Sequence, residues 1–239
     1  IIQLVSKGKI SEERIDQSVR RLLKQKFDLG LFDNPFVDET KVTEIIGTET
    51  SIKLGEKTQQ ISMTLLKNNN SVLPLSQNIL KVYIKNIDST TVSNYAKIVT
   101  NPEEADFAII RLNTPWYPVD TKNSFAASFH HGDLDFKGDK KEHILKLLKT
   151  VPTIVNLYLD RPAVIPEITQ LAASVIVDYG SSDKSVCEVI FGNVEPQGKL
   201  PFELPSSMQA VKNQKTDMPY DSENPLFEFG FGLEYQMKQ

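Results

Sequence analysis

Four short runs rich in β-branched and aliphatic residues, at 82–87, 107–112, 153–159 and 174–178, alternate with stretches of helical periodicity at 92–97, 139–149, 163–172 and 183–191. Strands joined by helices lie parallel, and a parallel sheet is stable only when helices cover both of its faces. The alternation therefore predicts an α/β fold, a three-layer αβα sandwich with a mainly parallel sheet. A chain of 239 residues with 40% hydrophobic residues can bury a core of that size. Neither an internal repeat nor a low-complexity tract interrupts it.

Charge and residue counts exclude several partners. With 27 basic against 31 acidic residues the net charge is -4, so no basic field exists to release counterions from a nucleic acid. Cys187 is the only cysteine, which rules out an internal disulfide and a cysteine metal cage. The three histidines, His130, His131 and His143, do not match zinc spacings, and neither a metal nor a cofactor is expected. No Gly-x-Gly-x-x-Gly or Walker-type loop follows any predicted strand, which weakens a flavodoxin-like nucleotide binder. Nor does any apolar run approach the roughly 20 residues that span a bilayer, so no membrane partner is expected. The N-terminus lacks an initiator Met and a signal-peptide pattern, which reads as a truncated or processed piece whose export signal would lie elsewhere.

Residues 1–30 are expected to hold one amphipathic helix, over 11–30. Ser11 can cap it, Glu12 and Glu13 suit its positive end, and Ile15, Val19, Leu22, Leu23 and Phe27 form an apolar stripe that needs a partner. Residues 31–49 read as a linker with a turn at 33–35, and a second domain follows over 50–239. Near its end Phe227, Phe229 and Phe231 alternate with Glu228 and Gly230, as in a terminal strand with one buried face. Gly192, Gly198, Gly230 and Gly232 are read as architecture, allowing tight turns.

In an open parallel sheet, ligands bind beyond the carboxyl ends of the strands. Arg111 stands at such an end, with Trp116 just beyond it, and Asp160 and Arg161 stand at the next. Each has a structural alternative: Asp160 and Arg161 can pair with each other, and Arg111 can hold a loop. The connection over 113–138 is long for a segment without helix or strand pattern, as lids and binding loops are. Trp116 offers a face for stacking on a sugar ring, while Asp120, His130, His131, Asp133 and Asp135 can bond hydroxyls or move protons.

Two tail segments carry a family likeness: 195–205, EPQGKLPFELP, and 225–235, PLFEFGFGLEY. They resemble the closing signature of the second domain of glycoside hydrolase family 3, as in β-glucosidases. Segments 64–68 (TLLKN), 130–136 (HHGDLDF), 159–163 (LDRPA) and 178–183 (DYGSSD) resemble the same family in the same order across 53–235. Residues 8–36 resemble the last helix and exit linker of its barrel. The resemblance implies a domain that completes an active site over a (β/α)8 barrel holding the nucleophilic aspartate, a carbohydrate substrate, and a periplasmic or extracellular setting. On its own such a chain is expected to be inactive. Many members place a glutamate acid/base on the second-domain loop, yet no glutamate lies between Arg111 and Lys141 here. The proton donor would be Asp133, Asp135, Asp139 or a histidine such as His131; Asp133 and His131 are taken as the catalytic candidates, since Asp139 reads equally well as a helix cap, and Arg111, Trp116, Asp120, His130, Asp160 and Arg161 as the candidate substrate-binding residues. The competing reading is a carbohydrate-binding or interface module without a catalytic residue of its own.

Overall fold

The computed structural model describes residues 1–75, 80–118, 122 and 124–235. Contacts divide the chain into two units, Ile1–Ile52 and Lys53–Gln239. In the first, the helix Glu12–Asp28 starts on Ser11, whose hydroxyl accepts the Arg14 N–H at 3.2 Å. It ends at Gly30, where φ is 67°. There the Gly30 and Leu31 N–H groups donate back to Phe27 and Lys26 carbonyls, at 2.9 and 3.1 Å, satisfying the last turn. Val19, Leu22, Leu23 and Phe27 of its apolar stripe are exposed.

The second unit is built on a six-stranded sheet. Its strands are β1 (Thr64–Asn68), β2 (Lys81–Lys85), β3 (Lys97–Val99), β4 (Phe107–Asn113), β5 (Thr153–Tyr158) and β6 (Ser174–Asp178), ordered β1-β6-β5-β4-β2-β3. All pairings are parallel except that of β1 with β6. Neighbouring residues along a strand point to opposite faces, so the central strands feed two cores. Ile110, Val155 and Val177 face the helices Gly138–Thr150 and Pro166–Leu171. Ile109, Ile154 and Ile176 join Val92, Val186 and Ile190 from the helices Ser89–Val92 and Asp183–Ile190. The result is the three-layer αβα sandwich that the alternation predicts.

Several elements depart from the sequence expectation. Residues 92–97 do not form a helix. Asp88 caps a single turn, Ser89–Val92, by accepting the Thr91 N–H at 2.7 Å, and Lys97 already pairs with β2. The helix expected over 163–172 starts only at Pro166, because Val164 is bridged to Asp135 of the preceding loop. No strand forms over 227–231. Phe227 makes one bridge, to Leu204, and the chain then turns at Gly230, whose φ of 78° breaks the alternation and leaves Phe229 exposed.

Cys187 is fully buried in the core between the sheet and the helix Asp183–Ile190, and desolvation pushes its thiol up to about 12. At pH 8 only ~10⁻⁴ of such a thiol is ionised, and the thiolate is the reactive form. Iodoacetamide is therefore expected to spare Cys187 in the native protein and to alkylate it in urea. Mass spectrometry reads the difference, and native labelling at the unfolded rate would show that this helix lifts off the sheet.

Candidate functional site

The connectivity of the sheet reverses between β2 and β4: β3 follows β2 on one side, and β4, β5 and β6 then run the other way. Carboxyl ends of adjacent strands diverge at such a point and leave a crevice. Here it has a volume of about 570 Å³ and is lined by Asn86, Arg111, Leu112, Asn113, Lys140, Tyr158 and Gly180. Asn86, Lys140 and Tyr158 are additions to the sequence reading. Asn86 was within reach of the strand-end rule, since it is the first residue past β2, whereas Lys140 lies on a helix and carries no local signal.

Arg111 is held by its own chain. Its Nη1 donates to Asp183 Oδ1, and its Nη2 donates to Asp178 Oδ2 at 3.3 Å and to the Ser181 carbonyl at 2.9 Å. Asp178, fully buried, accepts with its other oxygen from the Gly180 and Ser181 N–H groups at 2.9 and 2.8 Å. Two carboxylates thus fix one guanidinium and leave one negative charge in excess, which Lys140 on the crevice wall can offset.

The loop after β4 folds back on itself. The Tyr117 N–H donates to the His131 carbonyl at 2.8 Å. Gly132 makes this approach possible: at its φ of 84°, a Cβ would stand 2.5 Å from the Tyr117 carbonyl oxygen. Asp160 and Arg161, just past β5, hold the returning arm. Asp160 bonds His130 Nδ1, and Arg161 Nη2 donates to the Gly132 carbonyl. His130 in turn lies flat against Trp116, with ring centroids 4.8 Å apart and planes within 12°. Trp116 keeps 38% of its surface in solvent. Asp160 and Arg161 therefore do not pair with each other; they clamp the loop.

Asp133 bonds the ammonium of Lys137, and that hydrogen bond holds its carboxyl below the usual carboxylate range. Lys137 also lies 3.9 Å from Asp135 Oδ1 and over the Tyr117 ring, while the Tyr117 hydroxyl donates to the Asp135 carbonyl at 3.0 Å. Asp135 Oδ1 and Arg161 Nη1 are buried without a hydrogen-bond partner among the described residues. His131 is half-buried. The structure thus brings Trp116, His130, Asp160 and Arg161 together, with His131 and Asp133 on the same arm. Asp120 lies outside the described residues. Among those described, no group of three or more His, Cys, Asp or Glu could hold a metal ion, and no helix is long and apolar enough to cross a membrane.

The chain superposes on a β-glucosidase from Listeria innocua solved with isofagomine, with a TM-score of 0.69 and 18% identity, over 98% of this chain and 41% of that one. Residues 84–235 match the family profile of the glycosyl hydrolase family 3 C-terminal domain, and the chain belongs to that family. Beta-glucosidase C of Emericella nidulans is 48% identical over 240 residues, which are 99% of this chain and 38% of the relative. A periplasmic beta-glucosidase/beta-xylosidase of Dickeya chrysanthemi is 42% identical over 237 residues, 98% of this chain and 36% of the relative. The chain thus spans under two fifths of the length of either relative.

Proposed function

We propose that this domain takes part in the hydrolysis of β-linked glucosides or related glycosides by closing the active site over a barrel domain that carries the nucleophile. The observation that carries this reading is the Trp116 indole, half-open to solvent and set by His130 and Asp160 at the carboxyl edge of the sheet. A ring stiffened in this way offers a preorganised face for the apolar side of a sugar. The relatives named β-glucosidases support the substrate class. Under this reading the helix in 1–30 is the last of that barrel, 31–49 is the connector and 50–239 the closing domain. The exposed apolar stripe of the helix Glu12–Asp28 supports the assignment. The name of the Dickeya relative supports a periplasmic or extracellular setting.

Retaining hydrolysis needs a nucleophile and a proton donor, two carboxyl groups roughly 5 to 5.5 Å apart in the usual case. A donor must hold its proton at the working pH, and Lys137 acts against that at Asp133. Asp133 can serve only once Lys137 is drawn off its carboxylate, and His131 is the other candidate on the arm.

In the full-length enzyme, Trp116→Ala is expected to raise KM for an aryl β-glucoside roughly 2- to 13-fold, the range of one lost aromatic contact of about 0.5–1.5 kcal/mol. An unchanged KM rejects the stacking role. In the same assay, Asp133→Asn slows poor leaving groups far more than good ones if Asp133 is the donor, and slows both alike if it only shapes the arm.

A further inference from the structure

Next to the crevice, between β4 and the helix Gly138–Thr150, lies a smaller groove of about 140 Å³. Its floor is aliphatic. Ile110 and Leu112 come from β4 and Ile144 and Leu147 from the helix, and the first three are at most 6% exposed. Asn86 ends the groove on the crevice side, where its Nδ2 donates to the Arg111 carbonyl at 3.0 Å.

The rim above that floor is basic. The register of β2 on β4 sets Lys85 level with Ile110 and on the same face of the sheet, and Lys140 and His143 of the helix complete the rim. Neither lysine has an ion-pair partner among the described residues; Lys140 lies over the Phe136 ring, 5.1 Å from its centroid. Among those residues no carboxylate lines the groove. Lys140 offsets the single negative charge left over at Arg111, so the charge of Lys85 stays unmatched.

We propose that this groove binds a small aromatic carboxylate, its ring on the aliphatic floor and its charge at the ammonium groups of Lys85 and Lys140. An aliphatic cavity of about 150 Å³ takes up benzene, so the volume suits one ring and no long acyl chain. A pyranose would set hydroxyls against the aliphatic floor, and the lysines would offer it donors without acceptors. Inorganic phosphate would meet the charges and leave the floor wet. Trp116 is not among the lining residues, so the groove and the role proposed for that ring stand or fall separately.

The test is a fluorine NMR titration of the full-length enzyme with para-fluorobenzoate. Its line is expected to broaden on binding, with half-saturation below about 10 mM, and unlabelled benzoate is expected to reverse the broadening. Two controls separate the parts of the ligand: para-fluorobenzyl alcohol, a ring without charge, should bind far more weakly, and acetate, a charge without a ring, should not compete. Lys85 is exposed, so its substitutions are expected to leave the fold intact. Lys85→Gln should weaken binding about 3-fold and Lys85→Glu about 10-fold or more. Trp116→Ala should leave the affinity unchanged. No binding below about 10 mM overturns the proposal, as does equal binding of the alcohol, binding that Lys85→Glu leaves intact, or binding that Trp116→Ala removes.

Discussion

Arg111→Met is expected to lower the unfolding free energy by about 3–5 kcal/mol, the usual penalty for removing one partner of a buried ion pair. The guanidinium side chain is 17% exposed and serves Asp178, whose side chain is fully buried, and Asp183, at 27%. Without it Asp178 keeps only two backbone N–H groups, both on one oxygen. The loss spreads through three elements. Arg111 sits on β4, Asp178 ends β6, and Asp183 opens the helix Asp183–Ile190 while its other oxygen accepts the Asp88 N–H at 2.8 Å. Arg111→Lys retains the charge without the planar fork and should recover part of the loss. Pairing Arg111→Met with Asp178→Asn should lose less than the sum of the two single changes, since the orphaned charge is then gone. Urea unfolding measures all four proteins, and a loss under ~1 kcal/mol for Arg111→Met would mean that the N–H groups suffice for Asp178.

The same residue shows how far a sequence carries such a reading. Strands β4, β5 and β6 are legible because a parallel strand buried on both faces is apolar almost throughout, as 153–158 and 174–178 are. β3, three residues at the sheet edge, exists only through its register with β2 and leaves no periodic trace. β1 follows the helix Glu49–Ser62 after a single residue and takes its identity from an antiparallel partner more than a hundred residues on. The strand-end rule selects Arg111, Asp160 and Arg161 without saying what they touch. Their partners lie 72, 30 and 29 residues away, at Asp183, His130 and Gly132. Residue type and position are local properties, whereas pairing is set by the fold.

Gly198→Ala is expected to be among the most damaging single-atom additions to this chain, costing about 3 kcal/mol or more. A Cβ at Gly198 would lie 2.0 Å from the Ser62 carbonyl oxygen, 2.6 Å from Thr64 Oγ1 and 2.7 Å from the Met63 carbonyl oxygen. Two of those atoms are backbone, and neither can swing aside as the tip of a side chain does. The contact is also a hydrogen-bonded seam: the Gln197 and Gly198 N–H groups donate to Ile61 and Met63 carbonyls, at 3.1 and 2.9 Å. Gly232 stacks onto the same seam, since a Cβ there would stand 2.4 Å from the Gly198 carbonyl oxygen, and Leu233 then donates to Leu65 of β1 at 2.8 Å. Turn-making alone explains Gly230, at φ of 78°; Gly192, at 79°, also leaves room for Pro74, whose Cβ would stand 2.6 Å from an added Cβ, and Gly198 and Gly232 serve close backbone approach. The comparison that separates the two roles is Gly230→Ala, which meets nothing within 4 Å and strains only the backbone. It should cost about 1 kcal/mol. Denaturant midpoints that place the two alanine variants level would mean that the 61–64 and 197–199 segments part easily. The tail segments 195–205 and 225–235 would then contribute little to holding the sandwich closed.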